Sequence, residues 1–260
     1  MDYLPSIRMR KLLKLSVVFR FLNLSIFKLL VHAIAFCFPV EKWYAVVLFI
    51  SKISRFKLTH IVIKKYPLGL IKAFDVNTLL SLLTRKGRYF PIPYRIRGLD
   101  LLDHNNGLVL CTVHIPLIKV AICGLIENEF KVDAVIVGEP IPGGKMSVWG
   151  ITHKIPILLR NLHVLLKAKN LLQKNESVLL MVDQGAFGSY SPNILKLCGK
   201  LGSKLVFLFA ELQVDGTVET YVTEAPFPYC KNSNEIEENL KYLKQASDEI
   251  VLRYQNQSIF

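Results

Sequence analysis

The chain lacks any window of about 18 residues free of charged side chains, the length an apolar helix needs to cross a bilayer. A simple spanning anchor is therefore not predicted. Cysteine is sparse: Cys37, Cys111, Cys123, Cys198 and Cys230 form no CxxC pair and no metal-ligand spacing, and each lies in or beside an apolar segment. That pattern argues against a disulfide framework or a thiolate metal centre. It reads as reduced, structural thiols in a protein facing the cytosol. The basic start, Met1 to Lys14, runs into an apolar stretch interrupted by Arg20 and Lys28, with no small-residue cleavage site, so no signal peptide is predicted. No repeat, low-complexity tract or linker divides the 260 residues, which argues one domain carrying an N-terminal appendage. Acids are scarce in that appendage: residues 1–65 hold twelve Lys or Arg against Asp2 and Glu41.

The composition that remains is 52% hydrophobic, with mean hydropathy +0.35 and a net charge of +13, of which +10 sits in those first 65 residues. Residues 7–38 read as a helix, broken or continuous, with a wide Leu/Phe face beside Arg10, Lys11, Lys14, Arg20 and Lys28. Such a helix suits the headgroup layer of a membrane, its apolar side among acyl chains and its cations near lipid phosphates. Pro39 ends it. Glu41 to Ser54 supplies a second apolar helix with Trp43 and Tyr44, residue types that favour membrane interfaces, and Arg55 to Leu83 continues helical. Nucleic acid is not the expected partner, because the basic excess lies among Leu and Phe rather than on a polar face with stacking aromatics. The expected division is thus 1–65, basic membrane-associating helices, and 66–260, an α/β domain on the cytoplasmic face, peripheral or monotopic.

Within the second part the order is strand, helix, strand. His104-Asn-Asn-Gly107 is a turn signal, Leu108 to Val113 a buried strand, and His114 stands where the strand meets a helix. Pro116 fits the first helical position, followed by Leu117, Val120, Ala121, Gly124 and Leu125 at helical spacing. Exposed N–H groups at such a junction suit an oxyanion or a phosphate. Lys131 to Val137 is predicted as the next buried strand, closed by Gly138-Glu139-Pro140, making a βαβ unit. Ile141 to Gly150 reads as a loop, Ile151 to Leu159 is ambiguous, and Val164 to Leu172 reads as helix. Ser177 to Val182 is a third buried strand ending in Asp183-Gln184-Gly185. A helix over Ser191 to Leu201 follows, then strands Lys204 to Ala210 and Thr217 to Val222 joined at Asp215-Gly216 as a hairpin, and an amphipathic helix from Glu235 to Tyr254. With Tyr89 to Arg97 as an edge strand, the sheet is expected to be mixed but largely parallel, flanked by helices.

The order of these blocks resembles the bacterial lipid A biosynthesis acyltransferases, the lauroyl and myristoyl transferases, within the wider glycerolipid acyltransferase fold. The segments that carry the resemblance are Arg97-Gly98-Leu99-Asp100, Gly107 to His114, and Val178 to Gly185 followed by Lys196-Leu-Cys-Gly-Lys-Leu-Gly-Ser-Lys-Leu-Val. It extends from roughly Met9 to Tyr254. The resemblance implies acyl transfer from an acyl-carrier-protein or coenzyme A thioester to a hydroxyl or amine of a membrane lipid or amphiphile. It implies no metal or redox cofactor. His114 would be the general base, within a His-x4-Asp/Glu motif whose acid orients the imidazole.

Residue 119, however, is lysine where the family has that acid, and Glu139 stands where the family usually has a phosphate-facing arginine. A protonated lysine has no acceptor for an imidazole N–H. Two readings follow. In one, the charges have been exchanged: Glu139 or Asp183 orients His114, Lys119 binds phosphate or oxyanion, and Arg97 and Gln184 contact substrate. In the other, activity has been lost and the chain binds lipid or an acyl carrier as the partner of an active enzyme.

Overall fold

The computed structural model describes residues 94–256, apart from 104–105, 116, 139–144, 149–150, 184–189 and 214–216. The helices expected over 7–38, 41–54 and 55–83, and with them the membrane-associating appendage, lie outside the described residues. The described strands, in chain order, are β1 (Tyr94–Arg97), β2 (Leu108–Thr112), β3 (Ala134–Val137), β4 (Lys145–Val148), β5 (Ile151–Lys154), β6 (Ile157–Leu159), β7 (Ser177–Met181), β8 (Lys204–Leu212) and β9 (Val218–Glu224). The helices are α1 (Ile118–Glu127), α2 (Val164–Leu172), α3 (Asn193–Leu201) and α4 (Ser233–Asn256).

Seven strands form one sheet in the order β1-β9-β8-β2-β7-β3-β6. Every pairing in it is parallel except β8 with β9, so the sheet is mixed but mostly parallel, as the alternation of apolar runs and helices predicts. β2 lies at its centre between β7 and β8, and Leu108, Val109, Leu110 and Cys111 are fully buried. A strand covered on both faces reads as an unbroken apolar run rather than an alternating one, which is what Leu-Val-Leu-Cys shows. α1 packs on β8, β9 and β1. On the other face, α4 stacks Tyr242 on Phe207 of β8, with ring centroids 5.8 Å apart.

Two expectations are corrected at this level. The segment read as a loop from Ile141 to Gly150 contains β4, which pairs with β5 as a separate antiparallel hairpin, Met146 opposite His153. The alternation of buried Met146 and Val148 is too short to outweigh the neighbouring Pro and Gly on sequence alone. The helix placed from Pro116 begins instead at Ile118, after Leu117 takes a left-handed conformation with φ 69°. Pro116 itself lies outside the described residues.

β2 is brought to its position by Gly107. Its φ is +56°, and a Cβ there would stand 2.6 Å from the carbonyl oxygen of Leu172, so only glycine lets the chain turn beneath the end of α2 and enter the sheet. Gly107 also accepts a hydrogen bond from the Lys204 N–H, 3.0 Å, which holds the start of β8 beside β2.

Candidate active site

β2, β3, β6, β7 and β8 all run the same way, so their carboxyl ends share one edge of the sheet, the usual place for a site in an α/β fold. Thr112 of β2 is level with Met181 of β7. Carried two residues beyond each strand, the same register sets His114 level with Asp183. The side chains meet: His114 Nδ1 is 2.7 Å from Asp183 Oδ1. The backbone N–H of His114 also donates to the same carboxylate, 3.0 Å to Oδ2 and 3.2 Å to Oδ1.

The two partners differ in exposure in a way that bears on chemistry. The Asp183 side chain is completely buried, while the imidazole is 29% exposed. A carboxylate held out of water needs its hydrogen bonds, and His114 supplies two of them, one from the backbone and one from the ring. With Asp183 ionised, the ring hydrogen sits on Nδ1 and Nε2 carries the free lone pair. Opposite Asp183, joined to it by an antiparallel bridge, is Tyr190. Burial, and then the charge of Asp183, push its phenol up to about 12, so it stays protonated beside the carboxylate.

The other predicted residues fall in different places. Lys119 is exposed, the second residue of α1. It stands five residues along the chain from His114, on the helix that the junction feeds. Glu139 and Gln184 lie outside the described residues. Arg97 is not brought to His114: three strand spacings separate β1 from β2, roughly 14 Å at about 4.8 Å each. Its Nε is 2.5 Å from Glu219 Oε1 and its guanidinium lies over the ring of Tyr221, 5.8 Å from the centroid.

No protein-family profile and no curated protein matches the chain. The functional reading therefore stands on the residues and their geometry. Among the described residues no group of three or more His, Cys, Asp or Glu side chains is arranged to hold a metal ion, and no helix is long and apolar enough to cross a membrane. The described cysteines, Cys111, Cys123, Cys198 and Cys230, are free and buried.

Sequence reasoning missed a second polar cluster. Glu211 and Glu219 stand directly opposite on β8 and β9 and are both buried. The Tyr221 hydroxyl donates to Glu219 at 2.7 Å, and Arg253 Nε of α4 donates to Glu211 at 3.1 Å. Burial raises the Glu211 carboxyl above its ordinary value, while Arg253 and the Tyr221 hydroxyl hold it back. Two arginines against two glutamates make this a charge-balanced clasp. The signal in the sequence was a glutamate inside the apolar run Lys204–Leu212, where a buried charge requires a partner.

Proposed function

We infer that the chain transfers a fatty acyl group from an acyl-carrier-protein or coenzyme A thioester to a hydroxyl or amine of a lipid or amphiphilic acceptor, with His114 as general base. The observation that carries this reading is the 2.7 Å contact between His114 Nδ1 and the buried Asp183 carboxylate. Asp183 fixes the tautomer and the ring orientation. Nε2 takes the proton of the acceptor as its oxygen or nitrogen attacks the thioester carbonyl, and the imidazolium that forms is stabilised by the carboxylate behind it. The proton then passes to the departing thiolate, so base and acid are the same ring and the thiol leaves neutral.

This arrangement supplies the acid that residue 119 does not. A carboxylate from the neighbouring strand replaces one from the following helix turn, and it leaves Lys119 free to meet the phosphates of the donor or the oxyanion, for which it is suited by charge. The partner reading, in which the chain is an inactive homologue that binds lipid or an acyl carrier, is the alternative that the assay decides.

The test is transfer of a radiolabelled acyl chain from thioester donors to a panel of lipid acceptors. His114→Ala and Asp183→Asn are each expected to lower kcat on the order of 10² to 10⁴-fold while KM for the donor changes little. Turnover by His114→Ala equal to that of the unsubstituted protein would remove the imidazole from the mechanism. Absence of turnover across the panel would favour the partner reading.

A further inference from the structure

α2 buries Val164, Ala168 and Leu172, one side of the helix, against the sheet. Just before it and on its other side, Leu159, Leu162, Leu165 and Leu166 are exposed, Leu162 to 98%. A single exposed leucine needs no explanation, but four within one strand–helix corner form an apolar patch. Exposed Arg160, His163, Lys167 and Lys169 are interleaved with them. The sequence holds no Asp or Glu between Glu139 and Glu176, while Lys145, Lys154, Arg160, Lys167, Lys169 and Lys174 fall in that interval. Glu176 lies just before β7 and Asp133 just before β3, both at the opposite, amino edge of the sheet.

We propose that this β6–α2 corner is a docking surface for an anionic phospholipid bilayer, with the leucines entering the acyl layer and Arg160, Lys167 and Lys169 meeting lipid phosphates. Charge complementarity selects that occupant. The N-terminal 65 residues carry a net +10 and would meet the corner as like charge, and a second copy would present the same sign. A leucine standing almost fully clear of the surface suits insertion among acyl chains, where its whole side chain leaves water.

The corner also lies at the carboxyl edge of the sheet. β6 is parallel to β3, which is parallel to β7, so Leu159 and Arg160 are at the same edge as His114 and Asp183, and three strand spacings, roughly 14 Å, separate β6 from β2. Docking there turns that edge towards the lipid surface. The proposal rests on the reading that the acceptor is presented at a membrane, but not on the chemistry of His114.

The experiment uses the full chain with Cys37→Ser, since the other cysteines are buried, and an environment-sensitive nitrobenzoxadiazole dye on Leu162→Cys. Mixed phosphatidylglycerol–phosphatidylcholine vesicles are expected to shift its emission to the blue and raise it several-fold. Pure phosphatidylcholine vesicles should do so weakly, and the same dye on Lys231→Cys at the amino edge should not respond. Without dye, Leu162→Asp/Leu166→Asp, both surface changes, should weaken vesicle binding at least about tenfold. Co-sedimentation with vesicles but no response at position 162 would overturn the proposal, as would an equal response to both vesicle types. A response to a soluble acidic carrier protein and none to vesicles would assign the corner to a protein partner instead. Repeating the measurement with His114→Ala separates the two readings: the dye response should persist while acyl transfer is lost.

Discussion

Leu117 shows how much of the site depends on single residues in unusual places. A bulky side chain in the left-handed region costs about 1–2 kcal/mol, and here it is offset by near-complete burial of the leucine, 3% exposed. The turn it makes separates His114 from the start of α1, so the imidazole projects from the strand end rather than from a helical turn. Nothing in the sequence marks Leu117 for that conformation, which is why the helix was expected two residues earlier. Gly107 is the opposite case. Gly107→Ala is expected to destabilise the fold by more than about 1 kcal/mol, because it combines an unfavourable φ with a Cβ driven against the Leu172 carbonyl. Urea denaturation would measure it, and an unchanged midpoint would show that the end of α2 yields instead.

At the scale of elements, strand ends matter more than strand interiors. β7 begins with a small network: the Asp133 carboxylate accepts the Ser177 N–H at 2.8 Å and its hydroxyl at 3.1 Å, and Lys131 Nζ lies 2.6 Å away. Burial alone would raise the Asp133 carboxyl, but the Lys131 amine and the Ser177 donors outweigh it and lower the group below its ordinary value. A depressed carboxyl contributes stability above its unfolded pKa and loses it as pH falls through the folded one. Asp133→Asn should therefore cost about 1–3 kcal/mol near neutrality, and the difference from the unsubstituted protein should shrink below about pH 4. Denaturation midpoints at both pH values would check this, and a pH-independent difference would contradict it. The strand interiors were legible from apolar runs alone: β2 and β7 fall where those runs placed them, and the helix α2 falls where helical spacing placed it. β4 and β5 were not, since two four-residue strands outside the main sheet leave too short a pattern among prolines and glycines.

Across the whole molecule, α4 returns to the sheet's carboxyl edge and is tied there by Arg253. Glu211 is raised by burial, and a carboxyl whose folded pKa is raised stabilises fully below its unfolded value and loses that contribution as pH rises through the folded one. Arg253 limits the loss. Arg253→Ala should therefore cost more near pH 7 than near pH 4, where the carboxyl takes up a proton, by on the order of 1–3 kcal/mol given that the guanidinium is half exposed. Thermal unfolding at the two pH values measures it, and a larger penalty at the acidic pH would refute the assignment. Arg97 closes an edge strand, where a surface cation stands as readily as a substrate-facing one, and only the pairing of β1 with β9 brings Glu219 and Tyr221 beside it.

The sequence by itself determined the alternation of buried strands and helices, the mixed but mostly parallel character of the sheet and the place of a histidine at a strand end, because these follow from apolar periodicity and turn chemistry, which act over a few neighbouring residues. It also singled out Asp183 as a polar residue closing a buried strand. Only the tertiary structure decided that Asp183, rather than a residue five positions after the histidine, reaches His114. The two are 69 residues apart in the chain, and what brings them within 2.7 Å is the register of β2 against β7, a property of strand pairing that no local pattern encodes.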